Sequence, residues 1–237
     1  MSEHDGAVAV RTIDRADDPR IEDFRELRER DLGRRGVFIA EGEVVVRVLL
    51  GRGRFAVRSV LLGASRVRGL EDALARHPGL AVHEAAQPVL DAIAGFALHR
   101  GVLASADRGP ELDAAAVLAG LGPGPRRVVA LEGVVNHDNV GGIFRNAAAF
   151  GADAVLLDEV TCDPLYRKAI RVSVGASLFV PFARLHHERT VALLQAHGFT
   201  VLALTPADDA VDLSTLGAPP GRVALLLGAE GPGLSEA

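Results

Sequence analysis

Asn136-His137-Asp138-Asn139-Val140-Gly141-Gly142-Ile143-Phe144-Arg145-Asn146-Ala147 is the stretch on which the fold turns. The apolar run Val128–Leu131 precedes it and reads as a strand ending at Glu132. After a short loop a helix is expected over Val140–Phe150, because Ile143, Ala147 and Phe150 repeat at i, i+4 and i+7. Asp138 or Asn139 is placed to cap that helix, and Gly151 to stop it. Gly141 and Gly142 cost stability in a first turn. They make sense where a ligand must approach the backbone, or where helix and sheet pack tightly. A helix N-terminus is also an anion site, and Arg145 follows one turn further on.

The same rhythm continues downstream. Strands are expected at Ala154–Leu157, Leu178–Phe182, Thr200–Leu204 and Val223–Leu227, and helices at Leu165–Val174 and Glu188–His197. These strands are nearly continuous apolar runs, as parallel strands buried on both faces require. Upstream, strands at Val37–Ala40, Val57–Leu62, Leu80–His83 and Val102–Ala104 alternate with helices at Val44–Leu50, Leu70–Ala75 and Val89–Ala94. Asp18-Pro19 reads as a cap and first helical residue. The alternation defines an α/β protein. The Gly- and Pro-punctuated segment 121–127 is the expected linker between domains at 1–120 and 128–237.

The 237 residues are 49% hydrophobic and 24% charged, an ordinary globular composition. Cys162 is the lone cysteine, which excludes an internal disulfide framework and a cysteine-built metal cluster. The polar, acidic Met1–Gly6 is not a secretory signal, and no apolar run has the length of a membrane span. A cytoplasmic protein without a membrane partner is expected. No ligand-type spacing suggests a metal, and His186-His187 reads as surface.

All but one of the 26 basic residues are arginine, whose planar fork suits bidentate phosphate contacts. The net charge of −5 excludes a protein basic all over, yet RNA binding needs only a local patch. Arg47, Arg52, Arg54, Arg58, Arg66 and Arg68 fall in 47–68 with no acidic residue, either a phosphate-tracking patch or a solvated face. Residues 127–237 hold 8 basic against 12 acidic residues, so any nucleic-acid contact there is local.

A second glycine-rich stretch, Leu227-Gly228-Ala229-Glu230-Gly231-Pro232-Gly233-Leu234, follows a strand directly. Ligands of open α/β sheets bind beyond strand carboxyl ends. No Gly-Lys-Ser/Thr follows, so this is not a Walker loop. The dinucleotide fingerprint is absent too.

Together the two stretches resemble the SpoU (TrmH) family of RNA ribose 2′-O-methyltransferases in the SPOUT superfamily. Asn139, Gly141, Arg145, Ala147 and Phe150-Gly151 match its first motif. Gly228, Glu230, Gly231, Gly233 and Leu234 match the second, and Arg171-Val172-Ser173-Val174-Gly175-Ala176 a segment between them. Phe38-Ile39-Ala40-Glu41-Gly42 and His99-Arg100-Gly101-Val102-Leu103-Ala104 resemble the family's substrate-binding domain, of ribosomal-protein-L30e-like fold. The family usually has Gln where Arg100 stands.

The resemblance implies an L30e-like sandwich plus a SPOUT-type parallel-sheet domain with a trefoil knot. The family's third motif follows the second and does not occur before Ala237, so the domain is expected to lack its final part. The implied activity is methyl transfer from S-adenosylmethionine to a ribose 2′-OH of ribosomal or transfer RNA, by a homodimer. The implied catalytic residues are Asn139, Arg145 and Glu230. Thr205, Gly228, Glu230, Gly231 and Leu234 would hold the cofactor. Arg47, Arg52, Arg54, Arg58, His99, Arg100 and Arg145 would contact RNA. Arg145 is either a general base or, since a guanidinium is hard to deprotonate, a phosphate clamp. The alternative is a non-catalytic RNA-binding protein on the same scaffold.

Overall fold

The computed structural model describes residues 9–25, 29–95, 98, 101–217 and 221–235. Its contacts divide it into two compact units, Met1–Gly109 with Leu165–Phe179, and Pro110–Pro164 with Val180–Ala237.

The first unit runs β1 (Val10–Ile13), a 3-10 turn (Pro19–Phe24), α1 (Glu29–Arg34), β2 (Val37–Glu41), α2 (Glu43–Arg52), β3 (Val57–Gly63), α3 (Val67–Leu74), β4 (Ala81–Ala85), α4 (Gln87–Ala94) and β5 (Val102–Asp107). Its sheet has the order β1-β4-β3-β5-β2. β1, β4 and β3 are parallel, whereas β5 runs antiparallel to both β3 and β2. Ile13, Ile21, Phe24, Leu61, Leu90 and Leu103 fill one core. Asp18 caps the 3-10 turn by accepting the Arg20 N–H at 2.9 Å.

The second unit runs α5 (Ala114–Gly120), β6 (Arg126–Leu131), α6 (His137–Ala149) and β7 (Ala154–Leu157). The chain then supplies α7 (Arg167–Val172), which groups with the first unit. It returns as β8 (Phe182–Arg184), α8 (His187–Ala196), β9 (Thr200–Leu204) and β10 (Arg222–Leu227). The five strands are all parallel in the order β8-β7-β6-β10-β9. Leu118 of α5 and Leu194 of α8 cover one face over Val128, Ala130, Ala224 and Leu226. Phe144 anchors α6 by meeting the Phe182 ring edge-on at 5.7 Å, a contact worth about 0.5–1.5 kcal/mol beyond its area.

Three expectations need correction. The boundary between units falls at Gly109–Pro110, not within 121–127, because α5 and Leu121 pack into the second core and Arg126 already lies in β6. The strand expected at Leu178–Phe182 shares only Phe182 with the observed strand, Phe182–Arg184. Ala176–Leu178 is a 3-10 turn whose Leu178 carbonyl accepts the Arg54 N–H, and Pro181 cannot donate to a ladder. The central helix starts at His137, capped by Asn136 rather than by Asp138 or Asn139. The short elements β1, α1 and α5 carry too little apolar periodicity to be seen in the sequence.

Candidate functional site

The site is built on strand ends. Leu131 of β6 pairs with Leu157 of β7 and Leu227 of β10, and Leu227 pairs with Leu204 of β9. Four strands therefore finish in register. Glu132, Asp158, Thr205 and Gly228, each the next residue along, share one edge. From β6 the chain winds outward to β7 and β8, then crosses to β9 and β10 on the other side. The crevice between β6 and β10 is thus a topological switch point, where open α/β sheets take ligands.

The loop after β10 closes on itself. Ala229 and Gly233 exchange backbone hydrogen bonds of 3.1 and 3.0 Å. A Cβ on Gly228 would lie 2.3 Å from the Gly233 carbonyl carbon, so only glycine allows this closure. Glu132 ties the loop to β6, because its N–H donates to Leu227 at 2.9 Å and its carboxylate accepts the Ser235 N–H at 2.6 Å. Glu230, Gly231 and Thr205 are exposed, while Leu234 is half-buried and packs against the core. The Thr205 hydroxyl accepts the Ala207 N–H at 3.2 Å, which sets the turn leaving β9.

The loop after β6 is held by the loop after β7. Asp158 is buried and accepts N–H groups of Gly133 and Thr161 at 2.8 and 2.6 Å. The Thr161 hydroxyl accepts the Val134 N–H at 3.2 Å. Asn136 then caps α6 by accepting the Asp138 N–H at 2.9 Å. The earlier start leaves Asn139 half-buried in the first turn. Arg145 lies eight residues into α6, about 12 Å along its axis, beyond the first-turn amides. Among the described residues Arg145 is exposed and has no ion-pair or hydrogen-bond partner. No hydrogen bond or ion pair links Asn139, Arg145 and Glu230. Gly142 faces open space, since a Cβ there would meet nothing within 4 Å. Cys162 is half-buried nearby, and burial pushes its thiol up to about 11, so it offers no thiolate at neutral pH.

In the first unit, the run of arginines free of acid in sequence is not free of acid in space. Arg47 binds Asp72 at 2.9 Å, Glu43 and the Gly69 carbonyl. Arg58 binds Asp107 at 2.7 Å and Asp23 at 3.5 Å. Arg52 stacks over Phe179 at 4.0 Å and Arg54 over Phe55 at 4.5 Å. His99 and Arg100 lie outside the described residues.

A feature that sequence reasoning missed sits where α2 begins. Arg66 and Arg171 line a cleft of about 420 Å³ with Gly42, Glu43 and Val174. The α2 N-terminus has no side-chain cap. Val174 there has φ +54°, a costly conformation for a β-branched residue. Buried Glu41 lies 3.9 Å from both Arg167 and Arg171, and so holds α7 to the end of β2. The pairing of Arg171 with Arg66 crosses about a hundred residues, which no local pattern signals.

A parallel sheet with a glycine loop and a capped helix at its switch point makes this an open α/β protein, the class in which ligands are taken at that position. The SpoU rRNA Methylase family model matches residues 126–237. An uncharacterized tRNA/rRNA methyltransferase of Mycobacterium tuberculosis is 42% identical over 244 residues, spanning 100% of this chain and 83% of that protein. The 23S rRNA (guanosine-2′-O-)-methyltransferase RlmB of Coxiella burnetii is 33% identical over 146 residues, 57% of this chain and 55% of that one. The AdoMet-bound rRNA methyltransferase of Sinorhizobium meliloti superposes with a TM-score of 0.76 at 26% identity, covering 95% of this chain and 84% of that one. The chain belongs to the SpoU methylase family of tRNA/rRNA methyltransferases.

Proposed function

We propose that the protein transfers a methyl group from S-adenosylmethionine to a ribose 2′-OH of ribosomal or transfer RNA. The observation that carries this reading is the shared edge, where the Gly228–Leu234 loop and the β6–α6 loop meet at the switch point of a parallel sheet. The residues suit the cofactor. Gly231 has open space at its Cα. Gly228, Thr205 and Leu234 border the crevice, and Glu230 is exposed for polar contacts. When bound, S-adenosylmethionine supplies a methyl group already made electrophilic by its sulfonium.

The chain's own residues align the acceptor and ease loss of its proton. Arg145, exposed and unpaired among the described residues, clamps the phosphate beside the target ribose with its planar fork. That phosphate takes up the hydroxyl proton, which spares the guanidinium from acting as a base. Asn139 orients the ribose, and the exposed carboxylate of Glu230 is available to contact the bound cofactor. The protein works in the cytoplasm as a homodimer, and light scattering of the purified chain checks the dimer.

The test is transfer of labelled methyl groups to ribosomal and transfer RNA, followed by alkaline hydrolysis. A 2′-O-methyl group blocks cleavage, so alkali-resistant labelled dinucleotides are expected. Label recovered on a base would overturn the ribose assignment. RNA binding with no transfer would favour the non-catalytic alternative.

A further inference from the structure

Glu159, His186 and His187 stand apart from the residues assigned above. Glu159 lies two residues past β7, and the histidines follow β8 and open α8. Oε1 of Glu159 is 2.9 Å from Nδ1 of His187 and 3.3 Å from Nε2 of His186. All three ligand-type atoms lie within 4.8 Å of one another. The two imidazole rings are stacked at 5.0 Å.

We propose that these three side chains form a surface site for one divalent transition-metal ion of the zinc type. The ligands are Nε2 of His186, Nδ1 of His187 and Oε1 of Glu159, with water completing the coordination. Zinc takes imidazole nitrogen and carboxylate oxygen at about 2.0–2.2 Å, which sets neighbouring ligands roughly 3.3 Å apart in a tetrahedron. The 3.3 Å edge matches that spacing, and the 2.9 Å edge, a hydrogen bond between Nδ1 of His187 and Oε1 of Glu159, opens to it when the ion replaces the shared proton.

The surroundings hold the ligands in place. The other carboxylate oxygen of Glu159 accepts the His187 N–H at 3.0 Å, so Oε1 is left facing the rings. Asp158, next in chain, is fixed through its carboxylate, and Arg184 donates to the Asp158 and Thr161 carbonyls at 2.7 and 2.8 Å. Glu188 lies 3.8 Å from Nδ1 of His186, the nitrogen that would not bind metal, and adds negative charge beside the site. Two nitrogens and one oxygen select zinc, cobalt or nickel over magnesium, which prefers oxygen alone. Bound there, the ion would clip the loop after β7 to the start of α8 at the edge that carries the proposed active site. The inference does not depend on the methyl-transfer reading.

The test titrates the untagged chain with Co²⁺, followed by its visible absorbance, and with Zn²⁺ by calorimetry. One ion per chain is expected, and the unfolding temperature should rise with Zn²⁺ but not with Mg²⁺. His186→Gln and Glu159→Gln should each weaken binding at least about tenfold. Glu159→Gln can still accept the His187 N–H. Since the two variants are read separately, loss of the fold in one leaves the other decisive. His197→Gln, outside the cluster, should bind as wild type. Absence of saturable binding, unchanged affinity in a folded variant, or equal affinity for Mg²⁺ would overturn the proposal.

Discussion

The arginine segment 47–68 and the strand-end loops of the second unit are both candidate ligand-contacting regions in the sequence, and the fold treats them differently. Arg47 and Arg58 meet Asp72 and Asp107, 25 and 49 residues away. Much of their charge is spent inside the first unit. The strand-end loops keep local bonds at their centre, where Asn136 caps through Asp138 and Ala229 pairs with Gly233, while Asp158 and Glu132 brace them from 25 and 103 residues away. A motif whose bonds are local keeps its meaning when the chain folds. A charge run does not, because its counter-ions come from elsewhere.

Breaking the local bonds should produce the largest effect. Gly228→Val drives a side chain into the Gly233 backbone, which cannot move aside as a flexible side chain could. Overpacking of this kind costs about 1–3 kcal/mol. The loop should open and S-adenosylmethionine affinity should fall more than about tenfold by calorimetry, within that energy range. Gly142→Ala is the matched contrast, with open space at its Cα. It should raise stability by up to about 1 kcal/mol, because alanine is the better helix former. Unchanged unfolding and cofactor binding in Gly228→Val would remove the closed loop from the site.

Arg145 tests the same region without touching its fold. It is exposed and unpaired among the described residues, so Arg145→Ala should alter stability by no more than about 0.5 kcal/mol. Methyl transfer should fall by roughly a hundredfold, the scale of losing one well-placed electrostatic group. Arg145→Lys should recover only part of it, since an ammonium cannot make two parallel bonds to a phosphate. Full activity in the lysine variant would refute the clamp.

What the sequence displayed follows the same division. The strands β6, β7, β9 and β10 were legible because each is an unbroken apolar run. Gly151 and Gly198 were legible as helix stops, and both have positive φ. The Gly228 loop was legible because its bonds span five residues. Glu132 was not, although it holds that loop, because its partner Ser235 is 103 residues away. Nor was the transfer of residues 165–179 to the first unit, which rests on Glu41, Val48 and Arg54. The cap was misplaced by two or three residues because Asn136, Asp138 and Asn139 all carry suitable side chains, and only backbone geometry chooses between them.

That choice has a measurable size. Asn136→Ala removes the bond to the Asp138 N–H and should cost about 1 kcal/mol in denaturant unfolding. Asn139→Ala, inside the helix, should cost less. The reverse ranking would move the cap back to the position the sequence suggested.

The arginines supply the smallest and most discriminating comparison. Arg66 has no ion-pair partner among the described residues and lines the cleft with Arg171, whereas Arg47 is held by Asp72 and Glu43. If Arg66 contacts a phosphate, Arg66→Ala should reduce the salt dependence of RNA binding by about one in the log–log slope. Arg47→Ala should leave the slope unchanged and cost under about 1 kcal/mol of stability, as an exposed pair does. Asp107→Asn should act in the opposite direction, leaving Arg58 only its longer pair with Asp23 and steepening the slope. Equal slopes for Arg47→Ala and Arg66→Ala would mean that internal pairing does not decide which arginines meet RNA. The patch would then be the one written in the sequence.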